Sequence, residues 1–260
     1  MKTWSDHVAG LIESANDLEL LATRLLAAMD TLSPDGRCVV ALLDGKLGTI
    51  KLWTNFSAVD EPALTKAVRS GKAFAIDPYY GALTEGLSGC LPLWEIAPKG
   101  FANSSHYQEL YVAEGVLDEL NHLSPADGGG VVFVSVVRPD RKFTKKEIKL
   151  HHEVHAVIAA CSMHIVRLMG DVDEGADATP VTHVDGALEE FGAEVLTPRE
   201  MEVIHLVLRG HSTESAANQL GISWNTVKRH RLTAYTKLRV GSQGELFYEF
   251  LRTIGLRPDT

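Results

Sequence analysis

The sequence contains little cysteine and no long apolar run. Its three cysteines, Cys38, Cys90 and Cys161, are an odd number at wide spacings, and no CxxC pair is present to hold a metal ion or to carry redox chemistry. We expect them to be reduced thiols with a packing role. No apolar stretch approaches the roughly 18 residues that cross a bilayer, and the first residues lack the apolar core of a signal peptide. The expected protein is therefore soluble and cytoplasmic, with no membrane partner.

Motifs of common enzyme classes are also missing. The sequence has no GxSxG motif, no P-loop and no Rossmann fingerprint, so we expect no enzyme and no cofactor. His151 and His155 lie one helical turn apart, but a zinc-protease HExxH motif starting at His152 would need histidine where Ala156 stands. Exposed or packed histidines and no metal site are expected, with a metal-binding or pH-sensing role as the alternative.

The net charge of −9 over 260 residues seen alone would argue against a nucleic-acid partner, but the charge is unevenly distributed along the chain. Residues 171–194 contain eight acidic residues and no Lys or Arg, interspersed with Gly, Ala, Thr and Pro180, which is typical of a flexible linker. Residues 195–260 contain nine basic and six acidic residues, a net charge of +3. The sequence thus predicts three parts, a domain over 1–170, an acidic linker over 171–194 and a mildly basic domain over 195–260.

The first part alternates helical and strand patterns. Apolar periodicity and turn signals predict helices around 7–12, 18–29 and 60–69, strands over 38–43, 49–55, 115–123 and 131–137, and a long helix ending near Met169. Thr144 and Glu147 form a capping-box pattern at the start of that last helix. Helices flanking a small antiparallel sheet predict an α+β sensor fold of the GAF or PAS kind.

The last part has the local signals of a helix-turn-helix. Thr197, Pro198 and Glu200 supply the N-cap, first-turn proline and capping-box carboxylate of one helix. Gly210 ends that helix, and Ser212 caps a short second helix that ends at 220–222. Ser223 then caps a third helix directly, and a turn containing glycine between two short helices is the helix-turn-helix arrangement.

The third helix of this part divides by face. Val227, Ala234 and Leu238, with Arg231 between them, share one side at helical spacing. The opposite side is predicted to enter the major groove of double-stranded DNA, where Lys and Arg donate to guanine and an apolar side chain contacts a thymine methyl group. That side carries Asn225, Lys228, Arg229 and Leu232. Thr226, His230 and Lys237 are expected to contact phosphates, which fixes register without reading bases.

The stretch from Leu196 to Phe247 resembles the C-terminal DNA-binding domain of LuxR-type transcriptional regulators. The matching residues are Leu196, Thr197, Arg199, Glu200, Glu202, Val203, Gly210, Ser212, Leu220, Ile222, Ser223, Thr226, Val227, Lys228, His230, Lys237, Leu238 and Val240. The resemblance implies an all-α four-helix domain that binds promoter DNA, and pairing into a homodimer through the final helix, here about 243–251. Ala216, Ala234 and Gln243 depart from the family pattern, which bears on helix packing and on that dimer contact.

The middle of the chain offers candidates for a small-molecule site, because aromatic walls with a carboxylate suit an organic effector. The candidate residues are Trp53, Asp77, Tyr79, Tyr80, Trp94, Tyr107 and Tyr111. Asp77-Pro78 followed by Pro92-Leu93-Trp94 resembles the acyl-homoserine-lactone domains of quorum-sensing LuxR proteins, without a matching upstream Trp and Tyr pair. The stretch 77–119 as a whole is more similar to the GAF/PAS-like sensors of solitary LuxR-type regulators.

These observations predict a transcriptional regulator controlled by a small-molecule effector bound to residues 1–170. Two alternatives stay open. The first is a ligand-independent regulator whose front domain only dimerises, and the second is an enzyme domain tethered to DNA.

Overall fold

A computed structural model of the protein describes residues 3–43, 49–56, 76–125, 130–169 and 188–253. The helix expected over 60–69 and most of the expected linker lie outside these residues. Residues 188–194, however, belong to the folded C-terminal part rather than to a linker. Leu188 and Phe191 are buried there, Phe191 packs edge-to-face on Phe250, and the Leu188 carbonyl oxygen is 2.8 Å from His205 Nε2. Two buried apolar side chains among the acidic residues thus pack this segment against the C-terminal helices.

Two helices open the chain, α1 (Trp4–Glu13) and α2 (Leu18–Leu32). Thr3 and Asp6 form a capping box on α1, and the Asp17 side chain caps α2 by accepting from Leu20 N at 3.0 Å. One stripe of α2 is buried against the sheet, which agrees with its apolar spacing.

A five-stranded antiparallel sheet follows, in the order β2-β1-β5-β4-β3. Its strands are β1 (Arg37–Leu43), β2 (Thr49–Thr54), β3 (Gly89–Pro92), β4 (Asp118–Pro125) and β5 (Val131–Arg138). The two predicted strand pairs, β1 with β2 and β4 with β5, are both present and antiparallel. The expectation of an α+β domain with an antiparallel sheet is therefore confirmed.

Between β2 and β4 lie two short helices, α3 (Pro78–Thr84) and α4 (Leu93–Ile96), and the turns 101–103, 107–111 and 112–114. The segment 107–111 is a π-helix, a rare conformation that is frequent at functional sites. A long helix, α5 (Lys145–Met169), follows β5, and its predicted capping box is present, with Glu147 N 3.3 Å from Thr144 Oγ1.

The sheet has two different faces. On the back face, alternate strand residues such as Val40 and Val134 pack with α2 and α5 in one apolar cluster. Cys38 and Cys90 are buried in that cluster, and burial raises the pKa of both thiols to about 12, so neither is a ready nucleophile. On the front face, residues such as Phe133 join a second cluster with α3, α4 and the C-terminal helices.

A chain of three histidines joins α5 to the back face. His122 on β4 lies 3.0 Å from His155 Nδ1 through its own Nδ1 and 3.0 Å from His151 Nδ1 through its Nε2. His151 Nε2 is in turn 2.8 Å from Ser33 Oγ. Three neutral rings, each with one proton, satisfy every step of this chain. Within the described ranges no group of three or more His, Cys, Asp or Glu side chains is arranged to hold a metal ion.

The C-terminal part is helical, with α6 (Pro198–Leu208), α7 (Thr213–Leu220), α8 (Trp224–Leu238) and α9 (Gln243–Thr253). This confirms the predicted all-α helix-turn-helix part, including its caps at Thr197, Ser212 and Ser223. No helix among the described residues is long and apolar enough to cross a membrane.

Candidate DNA interface and effector site

Helix α8 is packed along one face and exposed to solvent along the other. Its N-cap, Ser223, accepts from Thr226 N at 3.1 Å, and α7 ends just before it at Gly221, whose φ of +63° suits glycine. Val227 and Ala234 are fully buried and pack α8 against α6 and α7. These contacts fix the orientation of the opposite face.

The free face of α8 carries the four residues predicted to read bases, Asn225, Lys228, Arg229 and Leu232, and all four are exposed. Leu232 is 71% exposed, which is unusual for leucine and has no explanation in packing. Trp224, which the sequence reasoning did not single out, is 48% exposed beside them, and Lys228 Nζ lies 3.9 Å from the centre of its ring. The cation–π contact orients the Lys228 side chain on this surface.

The three residues expected to contact phosphates are placed differently. Lys237 Nζ is ion-paired with Glu200 Oε2 at 2.7 Å, and this contact holds the pKa of Glu200 below its usual value. Thr226 Oγ1 is 2.8 Å from Ser223 Oγ, and His230 is partly buried. Lys237 thus stabilises the start of α6, and its contact with a phosphate would require this ion pair to be shared or broken.

Asp77 lies at the centre of the candidate effector site. Its carboxylate accepts from Tyr79 N at 2.8 Å, which caps α3, and from Tyr111 Oη at 3.0 Å. The side chain is buried, and this burial raises the pKa of Asp77 to about 6, although both hydrogen bonds oppose the shift. A buried carboxyl group held between two tyrosines is suited to bind a polar group of a ligand.

Five of the predicted aromatic residues belong to one cluster on the front side of the sheet, and two of them, Tyr79 and Tyr111, hydrogen-bond to Asp77. Tyr79, Tyr80 and Tyr111 are almost fully buried, and the rings of Trp94 and Tyr107 are 5.1 Å apart in edge-to-face geometry. The rings of Tyr107 and Tyr111 are stacked at 5.7 Å across the π-helix. The structure therefore brings together the predicted cluster, with Trp53 as an exception.

Trp53 does not belong to this cluster. It pairs with Val40 across β1 and β2, and both side chains face the back of the sheet, where the Trp53 indole donates to Glu19 Oε2 at 2.7 Å. Because successive residues of a strand point to opposite faces, this position cannot line the site around Asp77. The expectation that Trp53 binds the effector together with Asp77 is wrong for this reason.

Sequence reasoning missed three polar residues on the front face. Glu119 and Asn121 on β4 and Ser135 on β5 are buried, and Ser135 Oγ donates to the Glu119 carboxylate. Burial next to Asp77 raises the pKa of Glu119 to about 8. The signal in the sequence was a pair of polar residues at the alternate positions 119 and 121, in a strand that also carries Asp118, His122 and Ser124.

The aromatic cluster also contacts the helix-turn-helix part directly. Ser212 N, next to the start of α7, donates to Lys99 O at 3.0 Å, and Gly210, with φ +87°, lies against the ring of Phe101. A Cβ atom at position 210 would come within 2.5 Å of Phe101 Cδ2. We call the contact of residues 99–106 with 208–212 and α9 the junction.

His106 occupies the middle of the junction. Its ring stacks on Phe247 of α9 at 5.7 Å and meets Phe101 edge-to-face at 5.1 Å. Neither ring nitrogen makes a regular hydrogen bond among the described residues, although the backbone of Leu208 acts on the ring and opposes the effect of burial on its pKa. Burial lowers the pKa of His106 to about 3, so the ring is neutral and its polar atoms are unsatisfied.

An α+β domain with a buried polar and aromatic cluster, joined to a helix-turn-helix with a free basic face, defines a two-part regulatory protein. Residues 194–249 match the family described as bacterial regulatory proteins, luxR family. Over 191 residues the chain is 30% identical to an HTH-type transcriptional regulator of Aeromonas salmonicida encoded in the exeN 3' region, covering 70% of this chain and 96% of that protein. The protein belongs to the luxR family of bacterial transcriptional regulators.

One of the similar solved structures supports the fold of the front domain. The LBD domain of VqsR from Pseudomonas aeruginosa is similar over 64% of this chain and 97% of its own, with 16% identity and a TM-score of 0.51. SdiA from Escherichia coli aligns over 98% of this chain and 99% of its own, with 16% identity and a TM-score of 0.44. At such identities the first likeness shows the fold alone.

Proposed function

We propose that this protein binds promoter DNA through the free face of α8, and that a small molecule in the front domain controls this binding. The observation that carries the first half is that Asn225, Lys228, Arg229 and Leu232 are all exposed on a helix whose other face is fully packed. A helix held in this way fits the major groove with its polar donors toward base edges.

The test uses the full chain and DNA duplexes enriched by it from a random-sequence library. Lys228→Ala and Arg229→Ala should each weaken binding to the enriched sequence by about 1–3 kcal/mol and relax its base preference. Lys149→Ala is the matched control, because Lys149 is exposed on α5 and its loss changes the net charge equally. Failure to enrich any sequence, or equal losses in all three variants, would contradict the proposal.

Support for effector control comes from the continuity between the aromatic cluster and the junction. Tyr111, which donates to Asp77, meets the Phe101 ring edge-to-face at 5.7 Å, and Phe101 in turn lies against Gly210. A ligand that displaces Tyr111 would therefore move a ring that contacts the end of α6. If this ring packs in two arrangements, the helix-turn-helix part has two positions. An effector that binds one of the two states more tightly would then shift the equilibrium toward that state.

The proposal includes a homodimer, as the family resemblance implies. The apolar residues of α9, which are Leu246, Phe247, Phe250 and Leu251, are buried inside this chain. Pairing through α9 would therefore use its other side, or would follow opening of the junction. Sedimentation of the full chain on a DNA duplex carrying an inverted repeat distinguishes two bound copies from one.

A further inference from the structure

Trp224, Lys228 and Leu232 form one stripe along the free face of α8, because residues four apart lie one helical turn apart. Trp224 is 48% exposed and Leu232 is 71% exposed. Neither belongs to the apolar cluster that includes Val227 and Ala234 and holds this helix against α6 and α7. Two large apolar side chains therefore face solvent on either side of a lysine, and the packing of the described residues does not account for them.

The charge of α8 indicates the kind of partner that this stripe fits. The fifteen residues of the helix include four Lys or Arg and no acidic residue. Lys237 is ion-paired with Glu200 at 2.7 Å, whereas Lys228 and Arg229 take part in none of the ion pairs of the described residues. Cations next to exposed apolar groups suit a polyanion that also presents apolar groups. Double-stranded DNA does so through the thymine methyl groups of its major groove.

The Trp224 ring holds Lys228 without occupying all of its hydrogen-bond donors. Lys228 Nζ lies 3.9 Å from the centre of the ring, and the face of an aromatic ring attracts positive charge. A carboxylate in the same place would accept N–H groups of Lys228, as Glu200 does for Lys237, and DNA would have to break that ion pair. An ammonium group has three donors, and those that point away from the ring stay available. Lys228 is therefore confined in direction and still able to donate.

The spacing of the stripe fits neighbouring base pairs. Residues four apart along a helix are separated by about 6 Å, and stacked base pairs by about 3.4 Å. When Lys228 contacts one base, Trp224 and Leu232 therefore lie within about two base steps of it, on opposite sides.

We propose that Trp224 is a specificity-determining residue of the DNA interface. Its ring directs Lys228 to O6 and N7 of a guanine, and its exposed edge packs against the methyl group of a thymine on one side of that guanine. Leu232 packs against a thymine on the other side. The inference rests on the proposed binding of promoter DNA and names the base pattern that this surface recognises, a guanine with a thymine on each side within about two base steps.

The first test measures base preference with the full chain and the duplex that it enriches from a random-sequence library. Trp224→Ala should lower the preference for guanine over adenine at the position that Lys228 contacts by about two- to fivefold, which is the value of an exposed cation–π contact. Trp224→Phe keeps a ring face and should retain most of this preference. Val195→Ala is the matched control, because Val195 is also 48% exposed and lies outside α8, and it should leave the preference unchanged.

The second test changes the DNA by single methyl groups. Uracil in place of thymine removes only the methyl group and should weaken binding of the wild-type chain about fourfold at each flanking position, which is the value of one buried methyl group. Trp224→Ala should abolish the loss at one flank, and Leu232→Ala should abolish the loss at the other. Ile12→Ala, at a position of α1 that is also 71% exposed, should preserve both losses.

The outcomes separate this inference from the proposed function. A duplex whose binding depends on Lys228 but is unchanged in Trp224→Ala would overturn the role of Trp224 and leave DNA binding through α8 standing. An enriched duplex that tolerates uracil at both flanks would overturn the thymine contacts, and failure to enrich any duplex would count against both proposals. If Trp224→Ala keeps DNA affinity and base preference but sediments with a different number of copies, the ring belongs to a protein contact and the inference is wrong.

Discussion

The two faces of the sheet are formed by the same strands but differ in the polar groups that they carry. On β4, Leu120 and His122 face the back and are completed by α2 and α5, so every ring nitrogen of His122 has a partner. Glu119 and Asn121 alternate with them toward the front, where polar atoms remain unsatisfied or uncompensated. Unsatisfied buried atoms occur at the back as well, at Ser124 Oγ and Arg138 Nε, so the difference lies in the carboxyl groups of Asp77 and Glu119, whose charges repel each other at the front. This difference marks the front as the functional side.

The faces should also respond to pH in opposite directions. Burial lowers the pKa of His122, His151 and His155, with His151 at about 4, and Arg138 and His152 add to this effect at His151 while Glu147 opposes it. The unfolded chain therefore binds more protons than the folded one as the pH falls below about 6.5, and the free energy of unfolding decreases there. The raised pKa values of Asp77 and Glu119 have the reverse sign, so their contribution decreases as the pH rises.

The largest expected effect lies on the back face. Leu25 of α2 is fully buried there, and Leu25→Ala should lower the free energy of unfolding by about 2–5 kcal/mol, because it removes apolar contact and leaves a cavity. Leu20→Ala in the same helix is the control, since Leu20 is 40% exposed, and it should cost less than about 1 kcal/mol. Urea unfolding measures both, and equal losses would contradict the assignment of the core.

The next effect tests the front face at the junction. Gly210→Ala places a methyl group against Phe101 and should cost about 1–3 kcal/mol more than Gly115→Ala. Gly115 has a similar positive φ of +68° but no neighbouring atom within 4 Å, so it reports the backbone strain alone. If the junction transmits effector control, Gly210→Ala should also change DNA affinity in the absence of any effector, whereas Gly115→Ala should not.

Identical losses of stability and unchanged DNA affinity in both glycine variants would mean that the junction contact is absent in solution.

Local signals made most of the architecture predictable from sequence. The caps at Thr197, Ser212 and Ser223 and the box at Thr144 are set by neighbouring residues, so the helices they start could be predicted without tertiary information. The exposed base-reading face of α8 followed from helical spacing in the same way.

The effector site was only partly predictable, because its members come together through the sheet. Trp53 lies at the back because of the face to which its side chain points on β2. Strand boundaries predicted from sequence do not determine which face a side chain points to, because a shift of one residue in the pairing reverses it. Glu119 and Asn121 become candidate site residues only because the fold places Tyr111 and Asp77 on the same side of the sheet. His106 likewise belongs to the junction only because it packs on Phe247 in the other part of the chain. Such contacts have no local signature.

A further variant sharpens the pH comparison. In the unfolded chain Glu119 loses its proton near pH 4.5, while in the folded chain it keeps it to about pH 8. Wild-type stability should therefore contain a contribution that decreases as the pH rises through this window, and Glu119→Gln should remove it. Urea unfolding at pH 5 and pH 8 measures the difference, with Glu153→Gln as the control. A variant that gains no more at pH 8 than at pH 5 would show that the carboxyl group is not protonated when folded.

The smallest expected effect concerns His106 and tests whether the junction is less stable than a single substitution could make it. His106→Phe keeps an aromatic ring against Phe247 and removes two unsatisfied buried nitrogens, so it should raise the free energy of unfolding by about 1 kcal/mol. His152→Phe, at an exposed position of α5, should change it by less than about 0.5 kcal/mol.

A destabilised His106→Phe variant would mean that the imidazole finds a partner in solution, and the junction would then be a structural contact like those of the back face. A stabilised variant would mean that the native junction is weaker than a simple substitution could make it. In that case the variant should also respond less to any compound that changes DNA affinity, because a tighter junction raises the free energy that an effector must supply to open it. The titration of DNA affinity with such a compound, compared between the wild type and His106→Phe, separates a contact that merely joins two domains from one that an effector operates.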